Sequence, residues 1–185
     1  DQKKAWLRVR IVDPPPFSSR PTLINFKNHL EEMGKIGIIR RYTKSDESAT
    51  VGVWYRTGKE AYPYLPQFQA LTFEKAVAVF RQLIPSTCDI WIGEEHQKVI
   101  AYLAMKDSYI DRLYVDPTQQ NLGWGTRFVE HAKEIQPQGL ELHTHQANTN
   151  ACRFYERLGF VAVNFGISPA PESEPDVEYH WRPGK

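Results

Sequence analysis

Gln120-Asn121-Leu122-Gly123-Trp124-Gly125-Thr126 has the make-up of an anion-binding turn. Before it, Ile110–Val115 reads as a strand that stops at Asp116-Pro117; after it, Arg127–Ile135 has helical spacing. A strand therefore passes through a glycine-containing turn into a helix N-terminus. The first N–H groups of a helix have no internal partner, and the macrodipole adds partial positive charge there. Gly123 and Gly125 carry no Cβ, so a phosphate can approach the backbone closely. The spacing Q-x-x-G-x-G is neither the Walker A pattern nor the dinucleotide fingerprint G-x-G-x-x-G. Taken alone, it suits an αβ turn without a ligand equally well.

A second stretch follows the strand-like Leu140–His145: Asn148-Thr149-Asn150-Ala151-Cys152-Arg153-Phe154-Tyr155-Glu156-Arg157-Leu158-Gly159-Phe160. Q-x-x-G-x-G followed by N-x-x-A-x-x-F-Y-E-x-L-G-F, in this order and separation, resembles the GNAT superfamily of acyl-CoA-dependent N-acyltransferases. The resemblance spans Ile36 to Trp181. Near its start, Ile39-Arg40 and Asp46 stand where that family has I-R-x-x-x-x-x-D.

The resemblance implies an α+β GNAT fold. Its central sheet would be mixed, mostly antiparallel, of about six to seven strands with helices on both faces. It implies acetyl-CoA as cosubstrate and transfer of the acetyl group to a primary amine of a small molecule or peptide. The attack would be direct, within a ternary complex. The pyrophosphate would rest on the turn from Gln120 through Asn121, Leu122, Gly123, Trp124 and Gly125 to Thr126. The pantetheine arm would lie beside Leu113, Tyr114 and Val115 like an added strand, in a gap between two parallel strands that splay apart. An N–H near Leu113 would polarise the thioester carbonyl. Asn148 would bond the arm through its amide, or else serve only as a turn or cap residue. Tyr155 would protonate the leaving thiolate, because a phenol is protonated at neutral pH; the bland alternative is a core aromatic.

The amine must also lose a proton, and the residues leave that base open. Asp111 would lie on the strand beside the thioester, sharing a face by alternation with Tyr109, Leu113 and Val115. Glu94, Glu95, His143 and His145 are other candidates. The two-residue spacing of His143 and His145 could chelate a metal, yet nothing supplies further ligands, so no metal is expected. One histidine is expected at the acceptor pocket and the other as a structural or surface residue. Tyr62 and Tyr64, in the aromatic loop Ala61–Gln67, either shape that pocket or cap the core. The acidic groups Glu172, Glu174, Asp176 and Glu178 either face a cationic acceptor or form a solvated loop. A different class of function keeps the same fold: an acyl-CoA-binding regulatory or interaction module without turnover.

Composition narrows the field. The chain of 185 residues has 23 Lys+Arg against 22 Asp+Glu. No charge excess points to nucleic acid or an anionic membrane, so neither partner is expected. No apolar run reaches membrane-spanning length and no signal peptide is apparent, which suggests a cytoplasmic protein. Cys88 and Cys152 are too few for a disulfide framework and suit small core residues in a reducing compartment. A homodimer is left open as a partner.

The elements that must position these groups follow from spacing. Residues 1–35 form an N-terminal extension: a strand over Ala5–Val12, a proline-rich connector from Asp13 to Pro21, and a short helix from Thr22 to Met33. Residues 36–185 form the main domain. Its expected strands are Ile36–Tyr42, Ile90–Glu95, Lys98–Met105, Tyr109–Val115, Leu140–His145, Val161–Phe165 and Val177–Trp181, the last pairing with the one before it. Its expected helices are one capped by Ser45 or Asp46, one capped by Thr72 with Phe73, Val77, Phe80 and Ile84 inward, the helix after Gly125, and one over Ala151–Leu158 with Asn150 as a possible cap.

Overall fold

The computed structural model describes residues 37–184. The strand, connector and helix expected within residues 1–35, the boundary at 35/36 and Ile36 itself lie outside that range. Among the described residues seven strands form one sheet: β1 (Ile38–Arg41), β2 (Asp89–Glu95), β3 (Lys98–Lys106), β4 (Tyr109–Val115), β5 (Leu140–His145), β6 (Val161–Ile167) and β7 (Pro175–Trp181). Their spatial order is β1-β2-β3-β4-β5-β7-β6. Every neighbouring pair is antiparallel except β4 and β5. The helices are α1 (Glu47–Ala61), α2 (Pro66–Gln69), α3 (Phe73–Leu83), α4 (Trp124–Ile135) and α5 (Thr149–Arg157).

The sheet is covered on both faces, and β3 shows how the sequence arranges this. Its apolar run Ile100–Met105 is buried throughout. Ala101, Leu103 and Met105 enter a core with Phe128, Val129 and Ala132 of α4 and Tyr155 of α5. Tyr102 and Ala104 enter a second core with Val51, Val53 and Trp54 of α1 and Ala76 and Phe80 of α3. Side chains alternate across a strand, so one continuous hydrophobic run serves two layers. Each large side chain buried there stabilises the fold by roughly 1.5–3 kcal/mol.

β4 departs from simple alternation. Ala104 pairs with Arg112, yet Met105 pairs with Ile110, so Asp111 is an extra residue bulged out of the ladder. The bulge shifts the phase of the strand. Ile110, Leu113 and Val115 face the α4–α5 core, while Tyr114 faces the α1–α3 core. The expectation that Asp111 shares a face with Leu113 and Val115 is therefore corrected, because period-two alternation holds only along an unbroken ladder.

Other local expectations divide. Thr72 caps α3, its Oγ1 accepting from the Lys75 N–H at 3.3 Å. Neither Ser45 nor Asp46 caps α1 with a side chain; the Asp46 carboxylate instead accepts from the Thr43 N–H at 2.8 Å and from Arg40. Asn148, not Asn150, caps α5 through a 3.2 Å bond from the Ala151 N–H. The Pro-broken loop closes one helical turn, α2, with Pro66 in its first position. β7 lies between β5 and β6, pairing with both. The two cysteines are unpaired and half-buried.

Candidate active site

β4 and β5 meet at one rung, Tyr109 opposite Glu141, where the Glu141 N–H donates to the Ser108 carbonyl at 3.0 Å. Beyond that rung the strands part and leave a gap. On the other side of β4, the Asp116 N–H bonds the Ile100 carbonyl at 2.8 Å. Hydrogen-bonding direction alternates along an antiparallel ladder, so Tyr114 and Arg112 turn their backbone groups toward β3, and Leu113 and Val115 turn theirs toward the gap. Tyr114, expected to offer backbone groups to a ligand, turns them toward β3, and its side chain lines the cleft. The Asp111 bulge causes this. It moves the alternation by one residue and aims the Leu113 N–H at the gap. The Val115 carbonyl is already taken by Thr57 Oγ1 at 3.0 Å and Gln120 Nε2 at 3.2 Å. Gln120 thus ties the turn to the strand with its side chain.

The gap belongs to a cleft of about 750 Å³ that reaches from Glu60 and Tyr62 to Asn121, Gly123 and Arg157. At one end the chain turns into α4. Asn121 (φ 61°) and Gly123 (φ 87°) are left-handed, a conformation glycine adopts without strain. A Cβ on Gly123 would meet nothing within 4 Å, so the space before this helix N-terminus is open. Gly125 differs: a Cβ there would lie 3.0 Å from Phe154 Cζ, so this glycine makes room for α5. The Trp124 side chain is buried in the α4–α5 core, leaving only its backbone for a ligand, while Leu122 and Thr126 are exposed. Arg153 and Arg157 also line the cleft. Their i, i+4 spacing on α5 was the available sequence signal, and it fell on variable positions of the motif.

Tyr155 enters the cleft from the α4–α5 side. Its ring packs against Phe154 (5.0 Å between centroids) and Phe160 (5.4 Å) and is 8% exposed. Burial, with the nearby Tyr114 and Tyr109, pushes its hydroxyl well above the ordinary phenol range, so it stays protonated. Asn148 lines the same cleft, and its cap uses the side-chain oxygen, leaving the amide nitrogen as a donor.

The opposite face of the sheet brings the loop after α1 against β5. Tyr64 Oη lies 3.2 Å from His145 Nδ1, the Tyr62 ring packs on His145 at 5.6 Å, and Tyr62 Oη is 3.4 Å from Tyr114 Oη. Burial pushes the Tyr64 hydroxyl up to about 12. His143 projects on the same side, with Nδ1 3.3 Å from Tyr109 Oη. The remaining base candidates are placed apart or engaged. Glu94 takes Arg40 at 2.7 Å beside Asp46, in a different concavity, and Glu95 does not line the cleft. Asp111 lines the cleft but is paired with Arg112 at 2.7 Å. Of the acidic groups, Asp176 is buried and Glu178 bonds His180. The intervening loop touches the α2 turn, where Gln67 Nε2 donates to the Pro171 carbonyl at 3.3 Å. No group of three or more His, Cys, Asp or Glu among the described residues could hold a metal ion.

The mixed seven-stranded sheet, opened between its two parallel strands and covered by helices on both faces, has the GNAT fold. Residues 86–162 match the family model for the acetyltransferase (GNAT) domain. A relative is the peptidyl-lysine N-acetyltransferase YjaB of Salmonella typhimurium, 26% identical over 123 residues, covering 66% of this chain and 81% of that protein. Among solved structures, apo YjaB from Escherichia coli superposes with a TM-score of 0.67 at 19% identity, over 79% of this chain and 97% of that one. The PaiA N-acetyltransferase of Thermoplasma acidophilum, solved with coenzyme A, superposes with a TM-score of 0.61 at 17% identity, over 79% of this chain and 99% of that one.

Proposed function

We propose that the protein transfers the acetyl group of acetyl-CoA to a primary amine, with a peptide lysine as the favoured acceptor, by direct attack within a ternary complex. The observation that carries this reading is the gap between β4 and β5, where the Leu113 N–H is aimed at an opening that ends on the Gly123 turn. The pantetheine would lie along Leu113 and Val115, with Asn148 donating its amide. The pyrophosphate would take the N–H groups that open α4, from Gly123 to Thr126, since those groups lack partners inside the helix. The thioester carbonyl would accept from Leu113 as charge develops on its oxygen. Tyr155 would give its proton to the departing sulfur. The acceptor would enter from the face of Tyr62, Tyr64 and His145, where ring faces suit an alkylammonium chain. The peptide-lysine preference draws on the activity named for the YjaB relative.

Calorimetry with acetyl-CoA tests the first step. Wild type is expected to bind at micromolar strength, and Gly123→Asp, folded by circular dichroism, to lose that binding. The substitution places a side chain and a negative charge in the open space before α4. Absence of acetyl-CoA binding by the wild type would sink the proposal. Binding without turnover of lysine peptides or small amines would favour the silent acyl-CoA module instead.

A further inference from the structure

Within the proposed transfer reaction, on which this inference rests, the acceptor of the amine proton is unassigned. The sheet carries one more constellation at the gap. His143 and Glu178 are direct partners across β5 and β7. His143 Nε2 lies 3.9 Å from Glu178 Oε2, and Glu178 Oε1 lies 2.7 Å from His180 Nε2. On its other side, His143 Nδ1 lies 3.3 Å from Tyr109 Oη, on the last rung before β4 and β5 part. His143 lines the cleft together with Leu113 and Tyr155, and its side chain is 41% exposed. Its neighbour Leu142 is buried in the same core as Tyr155, so alternation sends His143 to the opposite face of the sheet. A proton donor and a basic ring therefore flank the gap from its two sides.

We propose that His143 is the general base of the reaction, with Glu178 and His180 as positioning residues behind it. The Glu178 carboxylate, 3.9 Å from Nε2, is beyond hydrogen-bond reach, but its charge favours the imidazolium that forms when the ring takes a proton. Nδ1 faces Tyr109 and the cleft, and a tyrosine hydroxyl donating to it leaves hydrogen on Nε2; an acceptor nitrogen can displace that hydroxyl. In the step itself the neutral amine attacks the thioester carbon, the N–C bond forms and the C–S bond breaks. The amine proton passes to His143 Nδ1, and the Tyr155 proton passes to sulfur. Solvent then takes the proton from the imidazolium and returns one to Tyr155. The other charged or titratable groups around the ring are Asp111 with Arg112 on β4, Glu141 with Arg182, and His145 on β5. Asp111 is the rival base, but Arg112 occupies its carboxylate.

The test is steady-state kinetics of the full chain with acetyl-CoA and a lysine peptide, alongside acetyl-CoA calorimetry. His143→Ala should lower kcat about 100-fold, the scale of a lost general base, while acetyl-CoA affinity stays within about twofold, since the ring does not hold the cofactor. Added imidazole should restore part of the rate in proportion to its free-base concentration, a response that a structural role would not give. Glu178→Gln should lower kcat by a smaller factor, on the order of 3 to 10, because it acts through His143. A rate for His143→Ala within about threefold of wild type, or a loss that imidazole does not rescue in a folded protein, overturns the assignment. So does a deeper loss in Asp111→Asn than in His143→Ala. If the wild type binds no acetyl-CoA, the transferase reading fails as well, which separates that failure from an error about the base.

Discussion

Tyr155 and Asp111 show how far a side chain's role depends on its neighbours. A phenol needs no help to stay protonated at neutral pH, but burial against Phe154 and Phe160 raises its hydroxyl further and holds the ring in one place. Tyr155→Phe keeps that packing and removes only the proton. It is expected to lower kcat roughly 100-fold with little change in acetyl-CoA affinity; an unchanged kcat in steady-state assays would remove Tyr155 from the chemistry. The side chain of Asp111 is held by Arg112, yet the residue matters to the cleft through its backbone, because its bulge sets which N–H of β4 faces the gap.

Among the elements, β1 and α1 are locked together by charge. Arg40 donates to both Asp46 oxygens at 2.8 Å and to Glu94 on β2 at 2.7 Å. The Arg40 guanidinium, foremost, and the Thr43 bonds hold the Asp46 carboxyl at about 2. A carboxyl whose folded pKa lies below its unfolded value of about 3.9 contributes stability above that value and loses it as pH falls toward its folded pKa. The window is therefore between about pH 4 and pH 2. Denaturant melts at neutral pH should show Asp46→Asn less stable by roughly 1–2 kcal/mol, a figure discounted because Arg40 is a third exposed. The difference between the two proteins should shrink across that acid window. A difference that persists unchanged at pH 2 would mean that Asp46 acts by shape rather than by charge.

For the whole molecule, the cleft is assembled from α1, β4, the turn before α4, β5 and α5, which are far apart in sequence. A ligand that fills it should therefore stabilise the domain as a unit. Acetyl-CoA at about 100 times its dissociation constant adds roughly 2.7 kcal/mol. For a chain of this size that corresponds to a rise in Tm of about 5–10 °C. Differential scanning calorimetry should show this rise for wild type and none for Gly123→Asp. An equal rise in both would place the cofactor elsewhere.

The sequence determined the strands, most helices and the glycine turn into α4, because each depends on local physics. Period-two and period-3.6 patterns mark what must be buried, Gly123 marks a left-handed turn, and Thr72 marks a helix start. It misjudged features that depend on a partner elsewhere in the chain. The Asp111 bulge arises from register against β3, and Asp46 is drawn away from capping α1 by Arg40. Nor could local spacing tell which acidic or imidazole group faces the gap. Only the tertiary structure decided that His143 stands beside Tyr109 and Glu178 while Glu94 turns away to Arg40, since cross-strand pairing, not spacing along the chain, sets those distances.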